Sequence, residues 1–249
     1  MATNLGLALS RAGHNIVCVY SRTVQSASTL ADKLGCPWTT DLSEIAAATN
    51  TCDVAILSVK DSVLTDLASQ FPQNGPTLFL HTAGSMPLSS LPMSHRGVLY
   101  PMQTFSKERE TDFSHIPTFL EVECEADKPL LQSLAGSITD NIYWLSSERR
   151  KSLHLAAVFT CNFANYCYDV ASQLLEEDGI PFSVMLPLIE ETTRKLHQFT
   201  PYEAQTGPAV RYDTNVIERH LKMLDSMPEK QRLYEYITQM IHQRHKEQA

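Results

Sequence analysis

The sequence predicts an α/β fold in two parts, a doubly wound and mostly parallel sheet followed by an all-α C-terminal domain. Three observations carry this. Short apolar runs at residues 16–20, 53–59, 77–81 and 97–100 alternate with segments of helical periodicity, the order expected of parallel strands joined by crossover helices. The runs are continuous rather than alternating, as in strands buried on both faces. Seven of the nine glycines lie before residue 145, so short strands needing tight turns give way to long helices. This places the domain boundary at Leu145-Ser146, with domains 1–145 and 146–249.

Residues 2–12 read as a helix with Leu5, Ala8, Leu9 and Ala12 on one face, ended by Gly13 just past the last turn. The run 16–20 is a buried strand ending in the polar Ser21-Arg22-Thr23. A helix over 24–34 turns Ala27, Leu30, Ala31 and Leu34 inward, closes at Gly35 and leads to a short strand over 37–40. Asp41 and Glu44 have capping-box spacing and open the next helix. After the strand at 53–59, Asp61 is placed to cap a helix reaching about residue 70. Strands over 77–81, 97–100, 118–123 and 141–145, with a helix over 126–137, complete this half.

From Ser147 one helix runs to about residue 178, its apolar face passing through Leu153, Ala157, Phe163, Val170 and Leu174. At about 1.5 Å per residue it would exceed about 40 Å, more than a small domain covers, which predicts a homodimer through the helical domain. A helix over 182–199 kinked by Pro187, an irregular stretch over 202–212 and a helix capped by Asp213 follow. The last helix opens at Ser226, with Pro228 in its first turn and Glu229 at capping-box spacing, and reaches about residue 244.

The net charge of −8, with no long run of like charge, disfavours nucleic acid and an anionic membrane as partners, since both want a basic face. No apolar run approaches the roughly 20 residues of a membrane span, and no export signal is recognisable at Met1. The six cysteines (18, 36, 52, 124, 161, 167) form no Cys-x-x-Cys pair and read as the reduced thiols of a cytoplasmic protein, with no metal site expected.

The order helix, glycine turn, buried strand, polar end resembles the second half of a Rossmann βαβ unit. The first strand and the glycine-rich loop of such a unit, which hold a dinucleotide pyrophosphate, do not precede Ala2. An acidic residue after the strand suits the ribose of NAD, and an arginine suits the 2′-phosphate of NADP. Arg22 between Ser21 and Thr23 is either a solvated loop arginine or a phosphate ligand, and its position directly after the strand favours the ligand. Ligands of open α/β sheets bind outside the carboxyl ends of the strands. Three such ends here are small and polar, at Ser58-Val59-Lys60-Asp61, Thr82-Ala83-Gly84-Ser85 and Met102-Gln103-Thr104, and together they make a plausible nicotinamide rim. His81 reads equally well as a satisfied histidine at a strand end.

The whole chain resembles the Rossmann-like oxidoreductases whose C-terminal half is a helical domain of unknown function, DUF2520. The resemblance rests on Ala2-Thr-Asn-Leu5, Val19-Tyr-Ser-Arg-Thr23, His81-Thr-Ala-Gly-Ser85, Tyr100-Pro-Met-Gln-Thr-Phe105, Leu155-Ala-Ala-Val-Phe-Thr-Cys-Asn162 and Thr206-Gly-Pro-Ala-Val-Arg211. In that family the helix at Ala2 follows Gly-x-Gly-Asn, so the resemblance implies that Met1 is an internal residue of that loop and that the first strand is missing.

It further implies an NADP-linked enzyme moving a hydride to or from a small carboxylate-bearing ketone, imine or alcohol. Ala2, Ser21, Arg22, Thr23, Ser58, Val59, Lys60, Thr82, Gly84, Met102 and Gln103 would lie at the cofactor. The architecture is similar to pyrroline-carboxylate reductases, ketopantoate reductases and 3-hydroxyacid dehydrogenases. The last carry a catalytic lysine four residues before an asparagine. Here Asn162 is present, but the position four earlier is Val158, which exchanges no proton. His154 and Lys151 are the nearest substitutes, with His154 as general acid or as a structural histidine. Asn165 and Arg211 could hold the substrate or bond neighbouring helices. The alternative from Val158 is a catalytically inactive dinucleotide-binding sensor or interaction protein.

Overall fold

Apolar residues at strand and helix spacing sort the first half of the chain into sheets covered by helices on both faces. The computed structural model describes residues 1–106 and 109–247 and divides into two compact units, Met1–Asn162 and Phe163–Ala249. The first unit runs α1 (Ala2–Arg11), β1 (Val19–Tyr20), α2 (Val24–Leu34), β2 (Trp38–Thr39), α3 (Leu42–Thr49), β3 (Val54–Leu57) and α4 (Asp61–Ala68). It continues with β4 (Leu78–His81), β5 (Arg96–Pro101), β6 (Thr118–Val122), α5 (Lys128–Gly136), β7 (Ile142–Trp144) and α6 (Ser147–Ala157). Strands β3 to β7 pair in chain order, all parallel except β5 with β6.

β1 and β2 form a separate parallel pair. Between the two pieces lies a cavity of about 500 Å³, lined by Val17 and Val19 on one side, Val54 and Ile56 on the other, and Leu5 and Leu9 of α1. The gap falls between the facing edges of β1 and β3, which are not paired with each other. It also explains why the run 16–20 is a strand only at Val19–Tyr20: among the described residues it has one ladder, with β2.

Strand β4 shows how the core forms. Leu78 and Leu80 pack with Leu5 and Leu9 of α1 and with Leu131 and Leu134 of α5. Phe79 turns the other way, onto Leu57 and onto Leu64 and Ala68 of α4. This is the two-residue period of a strand with both faces buried, which is why the run reads as continuously apolar.

Local rules set most helix ends. Thr23 Oγ1 accepts the Ser26 N–H at 3.3 Å, and Gly35 closes α2 in the left-handed conformation, φ +64°, that a side chain disfavours. Asp41 caps α3 through the Ser43 N–H at 2.7 Å. Glu44 does not complete the capping box: its carboxylate takes the Thr39 hydroxyl at 2.5 Å, and Thr39 Oγ1 itself accepts the Asp41 N–H at 2.9 Å. Asp61 is not the cap of α4 either. Lys60 holds that position, and the Asp61 carboxylate accepts the Ser85 hydroxyl instead.

The helix expected over 147–178 changes character midway. Val158–Phe163 is π-helical between α6 and α7 (Ala164–Glu177), and the two units part there, at Asn162, rather than at Ser146. The second unit adds α8 (Leu186–Lys195), the short α9 (Pro208–Arg211), α10 (Thr214–Met223) and α11 (Pro228–Lys246). Pro187 stands in the first turn of α8, where a missing N–H costs nothing, and so starts that helix instead of kinking a longer one. Asp213 caps α10 through the Val216 N–H at 3.3 Å. Ser226 does not cap α11, whose N-cap is Met227 without a side-chain bond. His220 Nδ1 and Tyr234 Oη, 2.9 Å apart, join α10 to α11. No residue of α7 or α8 is buried. Among the described residues no helix is long and apolar enough to cross a membrane.

Candidate active site

In the parallel part of the sheet, β3, β4 and β5 end at the same rim. Thr82 Oγ1 donates to Ser58 Oγ at 3.3 Å, and Asp61 accepts from Ser85, so the first two rim loops are tied to each other. Gly84, buried between them, is a close-approach glycine. A Cβ there would lie 2.6 Å from His154 Nδ1 and 2.8 Å from Tyr100 Cζ, which no side chain allows.

Those two groups form the centre of the site. Tyr100, near the end of β5, has its hydroxyl 3.1 Å from His154 Nδ1, and the rings meet edge to face at 6.0 Å between centroids. Burial raises the Tyr100 pKa against an opposing effect of Arg150, so the phenol keeps its proton. The phenol and Nδ1 share one hydrogen bond, its direction set by the tautomer of the imidazole. The pair thus holds one positioned imidazole beside the rim loops.

His154 is placed by the start of α6. Arg150, one turn earlier, is fully buried; it pairs with Glu121 of β6 through Nη1 and donates from Nη2 to the Met86 carbonyl at 2.6 Å and to Ser147 Oγ at 3.3 Å. Glu121 also accepts the Ser147 N–H at 2.9 Å and the Ser147 hydroxyl at 2.8 Å, and Ser147 Oγ accepts the Leu88 N–H at 2.9 Å. Helix, strand and rim loop are locked together by this network, which is why α6 stays with the first unit. His81 lies fully buried nearby. Its Nδ1 accepts the Ala83 N–H at 3.2 Å, its Nε2 has no partner among the described residues, and burial, with the Arg150 guanidinium, pushes its pKa down to about 4. It is therefore a neutral imidazole in the fold.

Of the residues singled out from sequence, Ser58, Thr82, Gly84 and His154 come together at this rim. Val59 and Lys60 follow Ser58 and are exposed, as is Gln103 after Met102; Gln103 Oε1 accepts the Thr104 N–H at 2.8 Å. Ser21 and Arg22 follow β1, with Arg22 exposed, while the Thr23 hydroxyl is engaged as the cap of α2. Ala2 opens α1, whose first N–H groups receive no side-chain cap. Lys151 and Asn162 are exposed, and the π-helical turns at 158–163 break the α-helical spacing by which Asn162 would follow His154. Asn165 and Arg211 are exposed on the second unit.

Sequence reasoning did not single out Tyr100, Glu121, Ser147 or Arg150. The available signals were a glutamate inside an apolar strand and an arginine four residues before His154.

Comparison with known proteins places this geometry. Residues 116–241 match DUF2520, a domain of unknown function, and residues 1–79 match the family described as NADP oxidoreductase coenzyme F420-dependent. The chain is 48% identical to the putative NADP oxidoreductase BF3122 from Bacteroides fragilis over 97% of its own length and 94% of that protein's, with a TM-score of 0.85. The chain belongs to the DUF2520 family of NADP oxidoreductases. This DUF2520 protein also shares its fold with protein TM1727 from Thermotoga maritima, at 20% identity, TM-score 0.79 and coverage of 98% of this chain and 95% of that one. An imine reductase from Myxococcus stipitatus in complex with NADP+ shares it at 13% identity and TM-score 0.62, covering 99% of this chain and 90% of that one. No curated protein matches the DUF2520 chain.

Proposed function

We propose that this protein is an NADP(H)-dependent oxidoreductase acting on a small carboxylate-bearing ketone, imine or alcohol. The observation that carries the reading is the Tyr100–His154 pair, set over Gly84 at the carboxyl ends of parallel strands. The residues present fit the dinucleotide: uncapped N–H groups at Ala2 suit a pyrophosphate, Arg22 suits a 2′-phosphate, and the Ser58 and Thr82 hydroxyls line the rim where Gly84 lets His154 and Tyr100 approach closely. When bound, NADPH supplies the hydride.

The protein's own part is proton transfer and positioning. Protonated on both nitrogens, His154 gives its Nε2 proton to the substrate oxygen or nitrogen as that atom gains negative charge and returns to the neutral ring, with Nδ1 still bonded to Tyr100. Tyr100 fixes the imidazole's orientation. Lys151 and Asn162 are the secondary candidates in the same unit, and Asn165 and Arg211 are the substrate-binding candidates of the second. The reading includes a cytoplasmic homodimer. The exposed Tyr166 and Leu174 of α7 and Leu186 and Leu188 of α8 supply apolar surface for a second copy.

Calorimetric titration with NADPH and NADH, followed by an NADPH-oxidation screen of keto acids and imines, tests the proposal. Preference for NADPH that Arg22→Ala removes, with turnover that His154→Gln and Tyr100→Phe depress, supports it. Binding without turnover across the panel selects the sensor reading that Val158 favours. No binding of either nucleotide overturns both.

A further inference from the structure

At the opposite end of β5 from Tyr100, the antiparallel register with β6 builds a second cluster. Gly97 faces Val122, so His95, just before the strand, stands across from Cys124, just after its partner. The chain then makes a single 3₁₀ turn over Glu125–Asp127, closed by the Asp127 N–H on the Cys124 carbonyl at 3.0 Å, and that turn brings Asp127 back to both. Ligand atoms of His95, Cys124 and Asp127 all lie within 4.8 Å of one another. His95 Nδ1 faces the Asp127 carboxylate evenly, at 2.9 and 3.0 Å from its two oxygens.

Neighbouring charges prepare this place for a cation. The carboxylates on either side are matched, Glu123 to Arg96 at 3.0 Å and Glu125 to Lys128 at 2.7 Å. Among the described residues the Asp127 carboxylate faces the His95 imidazole and no lysine or arginine, and it is largely buried, with 12% of the side chain exposed. Imidazole, thiolate and carboxylate together are a borderline-soft donor set. Such a set prefers Zn²⁺ to Mg²⁺ or Ca²⁺, which want oxygen ligands throughout. His95, partly exposed, leaves room for a water as fourth ligand.

We infer that His95, Cys124 and Asp127 form a Zn²⁺ site that clips the β5–β6 pair to the 3₁₀ turn. Binding replaces the His95–Asp127 hydrogen bond with two metal–ligand bonds and releases the Cys124 proton to solvent. The role is structural, at the rim remote from Tyr100. The lack of Cys-x-x-Cys spacing hides such a site in the sequence, because its ligands meet across strands.

The test uses the whole chain, freed of metal by a chelator and titrated with Co²⁺ as a spectroscopic probe, then with Zn²⁺ in competition. Expected are one equivalent of Co²⁺ with a thiolate charge-transfer band, displacement by Zn²⁺, and a rise in Tm on adding Zn²⁺. Cys124→Ser should abolish the band, and His95→Ala should weaken binding by more than about a hundredfold, beyond what loss of an outer-shell partner costs. A Cys161→Ser/Cys167→Ser variant should keep the band, since those thiols are exposed elsewhere. Folding of each variant is checked by circular dichroism. A band that persists in Cys124→Ser, or the absence of stoichiometric Co²⁺ binding by the wild-type chain, overturns the proposal.

Discussion

Arg150 is held by Glu121 of the neighbouring strand, and one helical turn beyond it stands His154. An arginine with no exposed surface is tolerable because the carboxylate, a backbone carbonyl and Ser147 take its two terminal nitrogens, while its Nε has no partner among the described residues. Removing one partner strands the other. Arg150→Met is expected to cost about 3–5 kcal/mol in a urea melt, and Arg150→Met/Glu121→Leu less than the sum of the single changes. Additive losses would show that the pair is not a unit.

Gly84 carries the Tyr100–His154 geometry. Gly84→Ala forces a methyl into the 2.6–2.8 Å gaps to those rings, so the rings must separate. We expect a loss of about 1–3 kcal/mol in stability, the usual scale of overpacking, with a fall in kcat larger than that loss would suggest. Wild-type kcat in a folded Gly84→Ala protein would remove the pair from the chemistry.

His81 makes stability depend on pH. Its folded pKa of about 4 lies below the ordinary 6.5, so between these values the unfolded chain binds the extra proton and the native state does not. Stability is full above about pH 6.5 and is lost as pH falls toward about 4, by on the order of 3 kcal/mol from this one residue. Urea midpoints across that window should fall in the wild type and flatten in His81→Asn. Parallel curves would contradict the assignment.

The cavity between β1 and β3 has two strand edges for walls. A version of the chain with an apolar strand and a Gly-x-Gly turn joined ahead of Met1 is expected to fill it. Tm should rise and NADPH affinity should increase at least about tenfold, since the turn adds N–H donors for the pyrophosphate. Equal Tm and equal affinity in the two forms would defeat this.

Much of the rim was legible because its residues stand at strand ends, and strand ends can be read from where an apolar run stops. Thr82 and Gly84 are examples. The partner of His154 was not legible. Tyr100 lies 54 positions away, and nothing local distinguishes a phenol that bonds an imidazole from one packed in a core. Nor did Asp61's place before a helix reveal that it would turn to Ser85, or capping-box spacing that Met227 would displace Ser226 as a cap. A side chain with two possible partners takes the one that the tertiary fold brings near.

By itself the sequence determined the order of helices and strands, the α/β class of the first half, the helical second half, the helix stop at Gly35 and the helix start at Asp213. These follow from periodicity and from backbone preferences that act within a few residues. Only the tertiary structure decided that β1 and β2 stand apart from the main sheet, that the long helix passes through π-helical turns at 158–163, that Tyr100 and His154 converge on Gly84, and that Arg150 pairs with Glu121. Each of these depends on contacts between residues distant in the chain, which are fixed by packing rather than by any local pattern.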